Sequence, residues 1–355
     1  MNSRILMAGL ILVLVGCAEP VTLERRWTVM GTYAQAEIVA FDEHSGEKML
    51  EKVRSALERV DAEMSNWKQD SLLNQVNRQA RTGPAKVSSA DLYRCIRLAY
   101  EYAKNTGGAF DPTVGRLMQA YGFRPVRPRV PGEAELAAAM ADSGWEKIQV
   151  FPETRSVRFS DPGLELDLGG IAKGYAVDVA ARNFALPGIR SGLLDVGGTV
   201  YTWSVPGESR DWRIGIRDPE LPDGSMGTLA LRNRAAATSA LYENSFTVDG
   251  VTYGHILDPR TGRPAETDVI SATVISDSGA EADALSTAFF VAGTQGAGEM
   301  LQRSRRIEAI LLVEGEDGPV LMLSGSLQDR FQVDPGFAAR IDGRVRFILP
   351  PTTLE

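Results

Sequence analysis

Residues 164–184 read Leu-Glu-Leu-Asp-Leu-Gly-Gly-Ile-Ala-Lys-Gly-Tyr-Ala-Val-Asp-Val-Ala-Ala-Arg-Asn-Phe. The run Leu164–Leu168 predicts a strand with a carboxylate, Asp167, at its end. Gly169 and Gly170 turn the chain, and a helix is expected over 171–184. A strand–turn–helix unit in mid-chain argues for mixed α/β structure. Upstream, Arg26 to Val39 reads as a strand or hairpin. Met49, Leu50, Val53, Leu57, Val60 and Met64 recur every three or four residues, as on one face of a helix. Ser71 suits the cap of a short helix, and Ser89 the cap of one running to about Asn105, stopped by Gly107-Gly108. Pro125 to Pro131 is a Pro/Arg-rich connection, Glu133 to Met140 a short helix, and Ile148–Phe151 with Val157–Phe159 a pair of hairpin strands. Downstream, short strands fill Leu193 to Val274, a helix begins near Ala280, and Ile307–Val313 and Val320–Leu323 are late strands. The expected class is α+β: a mixed α/β, single catalytic unit with room for a smaller second lobe.

The 355 residues are 44% hydrophobic and 24% charged, which excludes a disordered or low-complexity chain. Lys and Arg number 38 against 46 Asp and Glu, a net charge of −8. An acidic chain with no basic run makes a poor nucleic-acid binder, because phosphate contacts supply most of that affinity. Two cysteines, Cys17 and Cys95, exclude a disulfide framework and a zinc site of clustered thiolates. Cys95 lies in a helical apolar stripe and reads as a core thiol. Two histidines, His44 and His255, leave little scope for a mechanism that needs a pair.

The N-terminus reads as an address. Arg4 precedes an apolar run from Ile5 to Val15, shorter than the roughly 20 residues that span a bilayer, so residues 1–16 are read as a secretory signal. Leu14-Val15-Gly16-Cys17 resembles a bacterial lipobox. That resemblance implies a lipid on Cys17, which becomes the mature N-terminus and fixes the chain to a membrane surface on the periplasmic side of the cell envelope. Ala18 resembles the default that sends Gram-negative lipoproteins to the outer membrane. The expected organisation is a signal at 1–16, anchor and tether at 17–26, a catalytic domain at 27–335 and a C-terminal strand or tail at 336–355.

Four segments carry chemistry. In the first, free backbone N–H groups at the helix start after Gly169-Gly170 are able to hold phosphate, and Lys173 lies in the first turn, within reach of the same anion. It is neither a Walker A loop nor GxGxxG; a plain glycine turn with a surface lysine has the same sequence. In the second, Tyr253-Gly254-His255-Ile256-Leu257-Asp258-Pro259-Arg260-Thr261-Gly262, a strand delivers a histidine suited to proton transfer just before a polar turn. In the third, Asp283 and Thr287 are four apart at a helix start and share a face, with Ser286 close by. These are hard oxygen ligands suited to Mg²⁺ or Ca²⁺; helix capping is the plainer account. The fourth, Gly107-Gly108-Ala109-Phe110-Asp111-Pro112-Thr113-Val114-Gly115, offers glycines and an aromatic to a planar ligand, or simply starts a helix. Together they suggest divalent-cation chemistry on a phosphate ester or anhydride. The cation offsets an acidic protein's repulsion of the ligand, and His255 activates a hydroxyl.

The same residues carry a family resemblance. Met30-Gly31-Thr32, GGAFDPTVGRL, LDLGGIAKGYAVD, LLDVGGT, YGHILDPRTGRP and EADALSTAFFVAG occur in that order. The series resembles the FAD:protein FMN transferases, the ApbE family, over about Trp27 to Val313. The resemblance implies an ApbE-like, T-fold-like architecture. It also implies a reaction in which FAD is the substrate, its pyrophosphate is split, FMN is attached to a Thr hydroxyl of an acceptor protein, and AMP leaves. Acceptors resemble subunits of sodium-pumping NADH:quinone oxidoreductase and Rnf-type redox complexes. Met30 matches a position bordering FAD, and Trp67 an aromatic position near the flavin. Ala109, Phe110 and Asp111 match a segment that holds FAD, Asp167 and Lys173 its adenosine and phosphate side, and Leu257 an apolar contact. Asp283 and Thr287 match metal ligands for Mg²⁺, with Ca²⁺ as an alternative. Ser286 takes a position that is Asp in some members. Gly170 offers its backbone carbonyl to the metal. His255 matches the residue expected to deprotonate the acceptor Thr.

One segment departs from the family pattern. Many members read Thr-Ser-Gly-Asp-Tyr-Glu-Arg where this chain reads Thr238-Ser239-Ala240-Leu241-Tyr242-Glu243-Asn244. The change removes a glycine's freedom and two charges beside the acceptor or FAD. Two other readings use the same residues: an FAD pyrophosphatase in which water replaces Thr, and a lipid-anchored flavin carrier that never cleaves its ligand.

Overall fold

The computed structural model describes residues 19–349 except 185, 209, 222, 241–244 and 305; the signal, Cys17 and the last four residues of the divergent segment lie outside the described residues. The first half of the chain runs β1 (Val21–Val29), β2 (Thr32–Ala40), α1 (Glu43–Met64), α2 (Leu72–Gln79), β3 (Ala85–Lys86), α3 (Ala90–Asn105), α4 (Gly115–Ala120), α5 (Glu133–Ala141), β4 (Ile148–Phe151), β5 (Ser156–Phe159) and α6 (Ala172–Ala181). The strands β6 (Ile189–Val196), β7 (Thr199–Ser204), β8 (Trp212–Arg217), β9 (Ser225–Leu231), β10 (Ala235–Ala240), β11 (Ser245–Val248), β12 (Val251–Gly254), β13 (Leu257–Asp258), β14 (Arg263–Pro264) and β15 (Val269–Ser276) follow. Then come α7 (Gly279–Arg303), β16 (Glu308–Val313), β17 (Val320–Ser324), β18 (Phe331–Val333), α8 (Pro335–Arg340) and β19 (Val345–Leu349).

Nine strands form the main sheet, in the order β1-β2-β6-β7-β10-β15-β16-β17-β19, antiparallel except for the β17–β19 pair. Strand β16 explains why the sheet is buried on both sides. Ala309, Leu311 and Val313 join the core shared with α1, α3, α6 and α7, whereas Ile310 and Leu312 join a second core under β8, β9 and β18. Alternate residues of a strand face opposite ways, so a strand covered twice must be apolar throughout. A third, smaller core gathers Leu117, Tyr121, Leu136 and Leu257 around α4, α5 and the β13 turn.

Local chemistry sets the element ends. Helix α1 buries Met49, Leu50, Val53, Leu57, Val60 and Met64 almost completely. Each such side chain contributes about 1.5–3 kcal/mol of apolar burial. Asp42 caps it, accepting a hydrogen bond from Ser45 N at 2.8 Å, so the helix starts ahead of its first apolar residue. Ser71 and Ser89 are the N-caps of α2 and α3, and Gly107 and Gly108 stop α3 with φ of 60° and 80°. Cys95 is buried in α3, and burial pushes its thiol up, as for an inert core residue. Among the described residues no helix is long and apolar enough to cross a membrane.

The expected strand at 164–168 is a correction. The segment joins no sheet. Its backbone bonds go instead to side chains and a loop: Leu166 N donates to Asn77 Oδ1 (2.9 Å), Leu166 O accepts from Asn77 Nδ2 (3.0 Å) and Asn66 Nδ2 (2.8 Å), and Asp167 N donates to Pro112 O (2.7 Å). Amide side chains stand in for a neighbouring strand. The helix after it ends at Ala181 rather than Phe184.

Candidate active site

Helices α6 and α7 cross at two glycines. A Cβ on Gly174 would lie 2.1 Å from Gly279 O and 2.7 Å from Asp283 Cβ; one on Gly279 would lie 2.3 Å from Val177 Cγ2. This contact is closed to any side chain and brings the start of α6 against the first turn of α7. Asp178 of α6 secures it. Its carboxylate accepts from Ser278 Oγ (2.7 Å), Gly279 N (2.6 Å) and Ala280 N (3.0 Å), capping α7 from another helix. Burial pushes the Asp178 carboxyl up, against the pull of those donors.

Asp283, buried, projects from this junction. Its Oδ2 accepts from Gly174 N at 2.9 Å. Its Oδ1 lies 3.5 Å from both Lys173 Nζ and Thr199 Oγ1. Lys173 also donates to Gly169 O at 3.3 Å. Thr287 Oγ1 is 3.5 Å from Asp283 O and 3.4 Å from Ser239 Oγ. A Cβ on Gly170 would lie 3.6 Å from Thr287 Oγ1 and 3.1 Å from Phe110 Cε2. The structure thus brings Phe110, Gly170, Lys173, Asp283 and Thr287 together. Ser286 is fully buried: its hydroxyl donates to Asp283 O (2.9 Å) within α7 and pairs with Ser239 Oγ (2.8 Å), which ties β10 to α7.

The remaining residues surround this centre in different ways. The Met30-Gly31 turn, with φ of 55° and 70°, abuts the Gly197-Gly198 turn: Gly197 N donates to Tyr33 O at 3.0 Å, and Thr199, the Asp283 contact, follows. Asp111 is used internally. Its oxygens accept from Thr113 N (2.8 Å), Thr113 Oγ1 (2.7 Å) and Trp145 N (3.0 Å), shaping the loop that carries Ala109 and Phe110, and burial pushes its carboxyl up. Asp167 Oδ1 accepts from Gly169 N at 2.8 Å, which sets the glycine turn. Exposed Trp67 follows Asn66, which is bonded to Leu166 O. Leu257 is turned into the third core. His255, half-buried, sits between β12 and β13. Its loop is tied to α7 one turn beyond Thr287, because Arg260, paired to Asp258 at 2.7 and 2.8 Å, donates to Val291 O at 3.3 Å. His44 lies exposed at the start of α1.

Sequence reasoning missed Asp178, Thr199 and Ser239. Each lies inside a stretch already quoted, but their roles depend on which helix or strand they meet. In the divergent segment, Ala240 is the last residue of β10, paired with Ser271, in backbone that needs no glycine. Losing the glycine there therefore costs no conformational freedom. Thr238 and Ser239 keep contacts to Thr273 and Ser286 at 2.8 Å each.

The oxygen set fits a hard divalent cation. One carboxylate, hydroxyls and a carbonyl suit Mg²⁺, which takes one or two carboxylates and leaves the rest of its sphere to water and substrate phosphates. Among the described residues no group of three or more His, Cys, Asp and Glu is placed to hold a metal, so such an ion depends on this mixed set.

The profile of the ApbE family matches residues 30–311. The chain belongs to the ApbE family. Two members are FAD:protein FMN transferases of Vibrio cholerae, 33% identical over 89% of this chain and 95% of the relative, and of Klebsiella pneumoniae, 32% identical over 81% and 83%. The solved flavin transferase ApbE from Vibrio cholerae superposes with a TM-score of 0.78 at 29% identity, over 88% of this chain and 99% of that one. The family protein from Thermotoga maritima superposes with a TM-score of 0.74 at 30% identity, over 90% and 99%. The mixed α/β fold with its large antiparallel sheet is the family's.

Proposed function

We propose that this chain is an FAD:protein FMN transferase that splits the FAD pyrophosphate, joins FMN to a Thr hydroxyl of an acceptor protein and releases AMP. The observation that carries the reading is the meeting of Asp283, Thr287 and Lys173 at the glycine turn opening α6, in a member of this family. Asp283, Thr287 and the Gly170 carbonyl would hold Mg²⁺, with Ca²⁺ acceptable to the same oxygens. Bound there, the cation neutralises charge on the pyrophosphate. Lys173 is placed to meet the same phosphates, whereas the N–H groups expected to hold them are largely spent inside the protein: Ile171 N and Ala172 N donate to Leu168 O, and Gly174 N to Asp283. His255 takes the acceptor hydroxyl's proton, the Thr oxygen bonds to the FMN phosphorus, and the bond to the bridging oxygen breaks with its electron pair leaving on AMP. Acceptors are redox subunits of the sodium-pumping NADH:quinone oxidoreductase or Rnf type. A lipid on Cys17, after removal of residues 1–16, would hold the enzyme at the envelope membrane where such acceptors lie.

The test is to incubate the signal-less protein with FAD, Mg²⁺ and an acceptor and to assay AMP and free FMN. AMP without an equal amount of free FMN, abolished by EDTA, is expected. Equal AMP and free FMN would mean a pyrophosphatase, and intact FAD a carrier.

A further inference from the structure

Arg124 is a buried cation at the edge of the glycine turn, 8% exposed. Its guanidinium pairs with Glu165. Nη1 donates to Asn66 O and Nη2 to Gly115 O, each at 3.4 Å. Its Nε–H has no hydrogen-bond partner and lies 3.6 Å from Asp167 Oδ2. A buried N–H left unpaired is costly, and the nearest carboxylate oxygen needs only a small closure to accept it. Glu165 is itself well supplied: Gln119 Nε2 donates to both its oxygens at 3.0 Å, and Arg81 lies at 3.5 Å. The charge that Arg124 leaves uncommitted therefore points to Asp167. Three segments meet at this guanidinium: the Asn66–Trp67 loop, the start of α4 and the Asp167 turn.

We propose that Arg124 is a positioning residue, which fixes the Asp167 carboxylate as acceptor for the donor groups of the nucleotide half of FAD, the ribose hydroxyls or the adenine amine. This rests on the FAD reading above. It accounts for a carboxylate beside a pyrophosphate site: the cation behind Asp167 offsets its charge, Gly169 N holds Oδ1 at 2.8 Å, and Arg124 Nε stands 3.6 Å from Oδ2.

Flavin-fluorescence titrations with FAD and with FMN, which lacks the adenosine, test the assignment on the wild type, Arg124→Met, Asp167→Asn and the double variant. Arg124→Met is expected to weaken FAD roughly tenfold, the scale of a lost charge-assisted hydrogen bond, and to leave FMN affinity unchanged. Asp167→Asn should give a similar loss, and the double variant no further loss. Parallel losses for FAD and FMN would reduce Arg124 to a structural role, and full FAD affinity in Arg124→Met would overturn the proposal. Should Arg124→Met fail to fold, Arg124→Lys keeps a cation for Glu165 but falls short of Asp167, and the same FAD-specific loss is expected. A wild type that binds no FAD would instead overturn the flavin-transfer reading itself.

Discussion

Asp283 gathers three donors before any ligand arrives: Gly174 N, Thr199 Oγ1 and the Lys173 ammonium. Removing it would leave Lys173 without its carboxylate as well as costing the cation its one anionic ligand. His255 lies on a loop fastened to α7 through Arg260 and Val291. Its proposed task concerns the acceptor's proton, not FAD. His255→Ala is therefore expected to cut transfer at least a hundredfold, the scale of a lost general base, with FAD affinity largely kept; stopped-flow chemistry beside equilibrium binding separates the two, and equal loss of both refutes the base role. At this scale the sequence was legible wherever a motif holds its own partners: Asp283 with Thr287, or Asp167 with Gly169. It was silent where a partner comes from another element. Asp111 accepts from Thr113 and Trp145, partners that its own motif only half supplies. Ser286 shares the Asp283–Thr287 turn, and its bond to Ser239 of β10 could not be read from the chain.

Among the elements, the α6–α7 crossing decides whether the site exists. Gly174 and Gly279 let the helices approach until backbone meets backbone, and Asp178 fills the orphan N–H positions of α7. Gly174→Ala drives a methyl into Gly279 O and toward Asp283. We expect a loss of about 1–3 kcal/mol of stability, as for overpacking, together with weakened Mg²⁺ binding, measured by urea unfolding and by calorimetry with the metal alone. Unchanged metal affinity would mean that the crossing does not position Asp283. Helices with their own caps and apolar stripes were read nearly to the residue, as α3 was from Ser89 to Asn105. The 164–168 segment was not, since an extended run is the same in sequence whether its partner is a strand or the side chains of Asn66 and Asn77.

Across the whole molecule, the main sheet lies between helices and a second, three-stranded sheet. Glu308 binds these layers. Buried at the start of β16, it pairs with Arg234 beside β10 and with Arg330 and Ser326 ahead of β18. Burial raises its carboxyl, but Arg330, Ser326 and Arg234 outweigh that and hold it below the ordinary Glu range. The folded protein thus binds this proton less readily than the unfolded chain, so the stabilisation is full above the usual Glu value of about 4.3 and fades as pH falls through the lower folded value. Glu308→Gln should cost about 3 kcal/mol near neutral pH, and its urea curve should approach the wild type's in acid. A gap that persists unchanged in acid would assign the loss to packing. No such long-range tie was readable from the chain, because Arg234, Glu308 and Arg330 lie in separate segments without a common pattern.

Asp283 and Thr287 are proposed to serve transfer of FMN to a protein. The most direct measurement is the intact mass of an acceptor carrying its target Thr after incubation with the signal-less protein, FAD and Mg²⁺. A gain equal to one FMN is expected, lost with EDTA and with Asp283→Ala. A gain that survives in Asp283→Ala, or an acceptor left unmodified while free FMN and AMP accumulate, would contradict it.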